Sequence, residues 1–238
     1  MDAIKTGAAV FCRLWLPRFP GRRELFVKKT SGFLAVLLTC GAVPAHAQIC
    51  AGRTAFNLAP THVGFDAGAN GSGHGVGVSV GHGRDALFGI VSAATHTVAG
   101  AAVHAVGATV ATDQPLTPDN KFHICPMITL GYVSDEHAAT GEGGRFGVSA
   151  AGDASLLAVN TPGLRVVPTI SIDLRFNGVG RTTGFFAQHA GRNDNTFSGG
   201  IGFVIRNRLS IVPRLVVPFR SLSQSGAQVT IGYNSLRR

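Results

Sequence analysis

The chain has 238 residues, of which 45% are hydrophobic and only 14% are charged, and its formal net charge is +9. Soluble domains average about 25% charged residues, yet no apolar run here reaches the roughly 18 residues that a membrane-spanning helix needs. The 32 glycines follow no three-residue period, and the 15 phenylalanines are too much apolar material for a disordered chain. Composition therefore excludes a polytopic helical membrane protein, a collagen and an intrinsically disordered protein.

The first 47 residues have the layout of a secretory signal peptide. Two lysines precede an apolar core of 11 residues, and an A-x-A cleavage motif follows that core. The residues concerned are Lys28, Lys29, 33–43, Ala45, Ala47 and Gln48. Such a core is too short to span a bilayer, so we expect residues 1–47 to be removed on export.

Two alternatives bear on this precursor region. Val27 is an alternative start, because residues 1–26 are unusual ahead of such a signal. Cys40 occupies the position of a modified lipoprotein cysteine, but Thr39 before it fits that motif poorly. Removal of residues 1–47 lowers the basic residues from 21 to 14 and the acidic residues from 12 to 10, which leaves a net charge of +4. Of the remaining arginines, five lie far apart in sequence, which disfavours nucleic-acid binding; they are Arg53, Arg84, Arg145, Arg181 and Arg237.

The mature chain carries two cysteines, Cys50 and Cys125. Export to an oxidising compartment predicts one disulfide between them, and the alternative is two unrelated buried thiols. In the chain-entropy model, closing a loop of 75 residues stabilises a fold by about 4 to 5 kcal/mol. No C-x-x-C motif or spaced Cys/His set points to zinc, so we predict no metal and no cofactor.

The dominant period of the mature chain is two, which is the period of a β-strand. Between positions 164 and 176 every even residue is apolar, whereas most odd positions are polar, including Arg165, Thr169 and Asp173. Thirteen residues at about 3.3 Å each, tilted by about 40°, cover roughly 30 Å, enough to cross the apolar band of a membrane. The same alternation recurs around residues 124–132, 197–205 and 209–219.

Counting outward from these segments predicts ten strands, with eight or twelve as alternatives. Prolines at 126, 168 and 213 lie 42 and 45 residues apart, the length of one hairpin, and mark equivalent entries into every second strand. The predicted strands are 61–69, 73–82, 86–96, 99–112, 122–134, 145–158, 163–177, 195–206, 208–220 and 226–234. An even number places both ends of the barrel sequence on one side. Cys50 and Cys125 also fall at that side, opposite the long loops 134–144 and 177–195.

The strands of a soluble β-sandwich would also alternate apolar and polar residues, so the composition of the polar faces decides between a sandwich and a membrane barrel. A solvated face is rich in Lys and Glu, but the mature chain has one lysine, Lys121, and two glutamates, Glu136 and Glu142. Glycine, serine and threonine fill the polar faces instead, which is typical of a barrel lumen. The sequence therefore predicts an all-β, antiparallel, up-and-down transmembrane β-barrel. Its predicted parts are a periplasmic segment 48–60, the barrel 61–234 and a tail 235–238.

The chain resembles the bacterial outer-membrane β-barrel family, the small outer membrane beta-barrel domain proteins. The resemblance covers residues 48–233 and rests on the signal peptide, the alternating strands, the segment 124–126 with an early cysteine, and the closing strand. That strand is similar to the family's C-terminal insertion signal, although residues 234–238 follow it. Its alternating residues are Val229, Ile231 and Tyr233. The resemblance implies a bacterial outer-membrane location, insertion by the barrel assembly machinery, contact with outer-membrane lipid and lipopolysaccharide, and a monomer.

Seven charged residues are predicted to point into the lumen. They are Asp66, Asp153, Arg165, Asp173, Arg175, Arg214 and Arg220. Paired charges would lock and plug a narrow interior, whereas unpaired charges are costly there. The interior of a ten-stranded barrel is barely wider than one that side chains fill, which favours a plug over a conducting pore.

The sequence offers little evidence of catalysis or metal binding. His74, His82, His96 and His104 have no ligand spacing, and Ser92 or Ser149 beside His96 is no more than a compositional hint of a hydrolase. The glycine-rich segment 71–77 lacks the lysine of a phosphate-binding loop. We therefore expect a non-enzymatic protein with a structural or surface-binding role and a largely plugged lumen. A narrow passive channel for small solutes is the first alternative, and an outer-membrane hydrolase is the second.

Overall fold

The structure is a computed structural model that describes Cys50 and residues 61–71, 73–84, 86–98, 101–135, 144–176, 195–220 and 222–235. The predicted signal peptide with Ala45, Ala47 and Gln48, most of segment 48–60, and residues 236–238 of the tail lie outside the described residues. No helix among the described residues is long and apolar enough to span a membrane.

Twelve strands follow one another along the described chain. They are β1 (Thr61–Asn70), β2 (Gly73–Arg84), β3 (Leu87–Val98), β4 (Ala101–Thr112), β5 (Gln114–Pro115), β6 (Phe122–Asp135), β7 (Arg145–Leu156), β8 (Val159–Asn160), β9 (Leu164–Phe176), β10 (Thr196–Ile205), β11 (Leu209–Pro218) and β12 (Gly226–Ser235). A short 3-10 helix, Leu222–Gln224, precedes β12. The ten long strands match the ten predicted segments, with ends that differ by two residues or fewer. The two-residue strands β5 and β8 lie in connections that the alternation pattern does not detect.

The ten long strands form one closed antiparallel barrel. Their order around the barrel is β1-β2-β3-β4-β6-β7-β9-β10-β11-β12, and β12 pairs with β1. That last pairing joins ten residues of each strand, from Thr61 opposite Ser235 to Asn70 opposite Gly226. Closure leaves none of these ten strands as a free edge, and it confirms ten strands over eight or twelve.

Apolar and polar side chains are arranged in this barrel in the opposite way to those of a soluble domain. Large apolar side chains face outward, including Phe146 at 79% and Val91 at 65% exposure. Polar side chains face inward, with Asp66 and Thr129 each 1% exposed. A β-sandwich would bury its apolar faces against each other, so this arrangement confirms the predicted lumen. A continuous apolar outer surface of this kind marks a membrane contact.

The two ends of the barrel differ. The end that carries Thr61 and Ser235, called the terminal end below, also carries the turns 113–121, 157–163 and 206–208. In the turn between β10 and β11, Arg206 and Asn207 have φ of 49° and 56°, the left-handed values that suit a tight hairpin. The opposite end, called the loop end, carries the connections between β6 and β7 and between β9 and β10. The even strand number explains why both chain ends of the barrel meet at one end.

Candidate functional site in the barrel interior

The interior has two unlike sides, because alternate residues of each strand point inward. Strands β3, β4, β6 and β7 form a side that we call the disulfide wall. Strands β9 to β12 together with β1 form the charged wall. Of the six predicted charges that point inward, only Asp153 lies on the disulfide wall. The five on the charged wall are Asp66, Arg165, Asp173, Arg175 and Arg214.

The disulfide wall is filled by an apolar plug near the terminal end. Its members are buried inward residues of four strands together with Cys50, namely Phe88, Ile90, Ala111, Cys125, Met127 and Ala151. Cys50 and Cys125 form the predicted disulfide, with their Cα atoms 5.7 Å apart. Because Cys50 is 5% exposed and Cys125 is 0% exposed, the bond holds the Cys50 end of segment 48–60 inside the barrel.

A buried polar pair lies beside the plug and joins Asp113, in the turn before β6, to His123 at the start of β6. His123 Nδ1 is 2.6 Å from Asp113 Oδ1, and His123 Nε2 is 2.9 Å from the carbonyl oxygen of Asn120. Asp113 also lies near the sulfur atoms of Cys50 and Cys125, in a group compact enough to suggest a metal site. The disulfide occupies both sulfur atoms, and metal binding needs free thiolates. The group therefore offers an ion a single carboxylate.

The same turn carries an exposed ion pair at the surface of the terminal end. Lys121 Nζ lies 3.0 Å from Asp119 Oδ2. Hydrogen bonds from Thr117 and Lys121 lower the pKa of Asp119 to about 2. This carboxylate is therefore charged throughout the physiological pH range.

The seam between β1 and β12 holds a buried histidine. His62 Nδ1 lies 2.6 Å from Asn234 Oδ1, and both residues are 0% exposed. Two glycines, Gly64 and Gly232, make room for the ring. A Cβ atom on Gly232 would collide with His62 Cε1 and would lie 2.6 Å from Ser210 Oγ. These contacts join the first and last strands of the barrel.

This seam cluster has the residue types of a nucleophile, a base and an orienting group, which sequence reasoning missed. The alternation of inward and outward residues could have located this cluster. His62 and Asp66 share the inward face of β1, and Asn234 lies on the inward face of β12. Ser210, His62 and Asn234 are each 0% exposed, however. All three side chains are therefore closed to water in this structure, and we call the cluster the seam latch because it joins β1, β11 and β12.

The serine and histidine residues singled out from sequence lie on both faces of the barrel wall. Ser149 Oγ is buried and has no hydrogen-bond partner among the described residues, so no histidine is placed to activate it. Ser92 and His96 also face the interior and are buried, at 4% and 1% exposure. The other three histidines, His74, His82 and His104, are exposed and face outward. The four histidines thus divide between the two faces of the wall.

Asp66 and Asp173 have different partners on the charged wall. Asp66 accepts hydrogen bonds from Thr230 Oγ1 and from Gln228 Nε2, the latter at 3.2 Å. Asp173 Oδ2 lies 3.4 Å from Arg175 Nε, and both side chains are buried. The carboxylate of Asp66 is therefore hydrogen-bonded by neutral donors, whereas that of Asp173 lies beside a buried cation.

Two arginines of this wall are less enclosed than its carboxylates, whereas Arg175 is as buried as Asp173. Arg165 and Arg214 are half-buried, and Nε and Nη1 of Arg165 have no hydrogen-bond partner among the described residues. Arg214 leans across Gly200, where an added Cβ would lie 2.6 Å from Arg214 Cγ. The prediction for Arg220 is wrong, because that residue lies two positions beyond the end of β11 and is exposed. The strand ends before the alternation reaches it.

The three residues of the predicted insertion signal lie on β12 and face outward. Ile231 is 42% exposed and Tyr233 is 53% exposed, whereas Val229 is half-buried. The strand continues past the aromatic residue to Ser235. Ser235, the first residue of the predicted tail, is therefore part of the strand, and Asn234, within the predicted barrel, belongs to the seam latch.

No family model matches the chain, and no curated protein matches it either. Among solved structures, the chain is similar to a KdgM porin at 10% identity and a TM-score of 0.44, over 73% of this chain and 99% of that chain. It is similar to LpxR from Salmonella typhimurium at 10% identity and a TM-score of 0.44, over 73% and 100% of the two chains.

A third likeness is to the translocator domain of the autotransporter NalP from Neisseria meningitidis, at 9% identity and a TM-score of 0.36, over 87% and 95% of the two chains. These three structures are outer-membrane β-barrels. Likenesses at this level carry no argument about activity. The barrel assignment rests on the chain's own strand pairing, with ten long strands closed by the β1–β12 seam.

Proposed function

We propose that this protein is an integral barrel of the bacterial outer membrane, of the small outer membrane beta-barrel domain type, with a closed lumen and a structural or surface-binding role. The outer surface supports a membrane location. Its outward aromatic residues include Tyr233 at the terminal end and the pair Tyr132 and Phe146 at the loop end, with ring centroids 4.8 Å apart. Aromatic residues at both ends of an apolar band are typical of such barrels.

The observation that carries the closed lumen is the plug held by the disulfide. Phe88, Met127 and Cys125 are 5% or less exposed, so water does not line the barrel along this wall. The disulfide adds the Cys50 end of the preceding segment to the same packing. A barrel filled in this way presents its loops and its outer surface to partners, and we infer neither catalysis nor a cofactor.

The half-buried residues of the charged wall favour a second candidate function, a narrow passive channel for small solutes. Ser198, Gly200 and Arg214 retain partial exposure on the inward faces of β10 and β11. A channel along this side would carry a cationic lining. Conductance separates the two candidates, because a filled lumen passes no ions.

The proposed location is tested by electrophoresis of the outer-membrane fraction, unheated and boiled in SDS without reductant. We expect a mobility shift on boiling, because a closed barrel resists SDS until it is heated. The protein in the soluble periplasm with no shift would contradict the proposal. Purified protein in a planar bilayer then tests the lumen: we expect no steady conductance, whereas discrete steps would establish the channel.

Three further parts of the proposal follow from the barrel. Insertion by the barrel assembly machinery would use β12, whose Val229, Ile231 and Tyr233 form the exposed side of the closing strand. The surrounding lipid, including lipopolysaccharide, would cover the apolar wall. We propose a monomer, because the β1–β12 seam closes the barrel within one chain.

A further inference from the structure

The disulfide of the plug lies beside a buried carboxylate. Asp113 Oδ1 is 4.0 Å from Cys125 Sγ, and a carboxylate oxygen of Asp113 lies within 4.8 Å of the sulfur atoms of both Cys50 and Cys125. All three residues are buried. While the bond is intact, neither sulfur atom is available to a metal ion. Reduction changes the same group into two thiols and one carboxylate, and thiolates and carboxylates are the ligands that bind Zn²⁺ in proteins.

The backbone holds the two cysteines at a separation that suits one zinc ion. The Cα atoms of Cys50 and Cys125 are 5.7 Å apart. A zinc–sulfur bond is about 2.3 Å long, so two thiolates in a tetrahedral site lie roughly 3.8 Å from each other. Rotation about the two Cα–Cβ bonds carries the sulfur atoms from their bonded positions to that separation. A zinc ion would therefore take the place of the S–S bond without a shift of any strand.

The surroundings of Asp113 fix the position of its carboxylate. His123 Nδ1 is 2.6 Å from Asp113 Oδ1, and His123 Nε2 is 2.9 Å from the carbonyl oxygen of Asn120. Both ring nitrogens of His123 are thus occupied, so the ring orients the carboxylate and is not itself a ligand. Orienting partners of this kind accompany metal-binding carboxylates. Asp153, 2% exposed, lies opposite Cys125 in the pairing of β6 with β7, and its charge also favours a cation.

We propose that the reduced protein binds one Zn²⁺ at this site, with Cys50 Sγ, Cys125 Sγ and a carboxylate oxygen of Asp113 as ligands. Binding releases two protons, one from each thiol, and leaves the oxidation state of sulfur unchanged. The ion and the disulfide exclude each other because they use the same two sulfur atoms. Exchange with a disulfide oxidant forms the S–S bond, reduces the oxidant to two thiols and expels the ion.

The reduced state precedes the disulfide in the life of an exported chain, because disulfides form after a chain reaches an oxidising compartment. Zinc at this site would hold the Cys50 end of segment 48–60 in the plug before the bond forms. That route depends on the proposed export, whereas the site itself depends only on the barrel and its plug.

The test uses the purified full-length barrel with Cys12→Ser and Cys40→Ser, so that only the two thiols of the site can bind metal. One half is folded from denaturant into detergent with a disulfide oxidant. The other half is folded with a phosphine, which is oxidised to its oxide with oxygen from water as the disulfide becomes two thiols. Zn²⁺ is the probe, and competition with a chromogenic chelator measures its affinity. Co²⁺ in place of Zn²⁺ reports thiolate ligation through its charge-transfer absorption.

We expect one Zn²⁺ per reduced barrel and no binding by the oxidised barrel at the same concentrations. Asp113→Asn should weaken binding at least about tenfold, because loss of a group that only orients a ligand already costs roughly 10- to 100-fold. Asp119→Asn is the matched control, since this carboxylate of the same turn is exposed and paired with Lys121, and affinity should be unchanged. If Asp113→Asn does not fold, Cys50→Ser is the second variant. It should weaken binding at least about tenfold and reduce the charge-transfer absorption.

Equally strong zinc binding by the oxidised and the reduced barrel would overturn the proposal, as would unchanged affinity in Asp113→Asn or, where that variant does not fold, in Cys50→Ser. The boiling-dependent mobility shift is measured on every sample. Absence of the shift in the oxidised parent would mean that the proposed barrel has failed. A normal shift in the reduced parent without zinc binding would mean that this inference alone has failed. A reduced parent that shows no shift with or without Zn²⁺ would also overturn it, because the site would not form.

Discussion

The disulfide wall and the charged wall face each other across one lumen and line it with different kinds of side chain. On the disulfide wall, apolar side chains pack around a covalent bond between Cys50 and Cys125. On the charged wall, small residues leave room for Arg214 and for the ring of His62. Packing excludes water from the first wall, whereas the second keeps partly exposed arginines. The comparison shows that the two sides of one barrel interior can be packed to different degrees.

The largest expected effect is on the disulfide wall, from Cys50→Ala. Loss of the bond releases a closed loop of 75 residues, so we expect the free energy of unfolding to fall by about 4 to 5 kcal/mol in the chain-entropy model. Denaturant unfolding in micelles with and without reductant measures it. Reductant should destabilise the parent protein and leave Cys50→Ala unaffected. Equal stability of the two proteins without reductant would show that the bond adds nothing to this wall.

Phe88→Ala tests the plug itself. Removal of a buried aromatic ring should cost about 3 to 4 kcal/mol through the lost burial and the cavity that it leaves. The outward residue Leu130, 61% exposed, provides the control: Leu130→Ala removes a lipid-facing side chain and should cost much less. Conductance in a planar bilayer is the second readout, because a loosened plug is where a pore would open. A Phe88→Ala barrel as stable as the parent would contradict a packed disulfide wall.

Gly232→Ala tests the seam latch of the charged wall. The added methyl group would collide with the His62 ring, and overpacking of this kind costs about 1 to 3 kcal/mol. Gly152→Ala is the matched control, since its Cβ meets nothing within 4 Å and stability should hardly change. Thermal unfolding of both variants in the same detergent measures the difference. Identical thermal midpoints for the two variants would show that the seam accommodates the added methyl group without strain.

The smallest expected effects on stability concern two arginines that the sequence predicts to face the lumen. Arg175→Gln removes the cation beside the buried carboxylate of Asp173 and should cost about 2 kcal/mol, because a charged acceptor loses its partner. Arg220→Gln changes an exposed residue and should alter stability by less than about 0.5 kcal/mol. Denaturant midpoints with unchanged slopes would report both values. Equal losses would place Arg220 inside the barrel after all, against its observed exposure.

The sequence by itself determined the strands and the direction in which each side chain points. Alternation of apolar and polar residues is a local property with a period of two, so it located all ten long strands and placed Asp66, Asp153 and Arg175 inward. It also predicted the disulfide, because only two cysteines remain in the mature chain. The same alternation wrongly predicted an inward Arg220, because alternation does not indicate the residue at which strand pairing stops.

Only the tertiary structure decided which distant residues meet. His62 and Asn234 are 172 positions apart and touch because β1 pairs with β12, a fact that depends on the number of strands and on their register. The same closure brings Ala69 beside Ala227. Local sequence does not encode such convergence, because a cross-strand contact depends on how far each strand is shifted along its neighbour. The sequence therefore determines the strand positions, whereas the seam latch and the two walls depend on closure of the barrel.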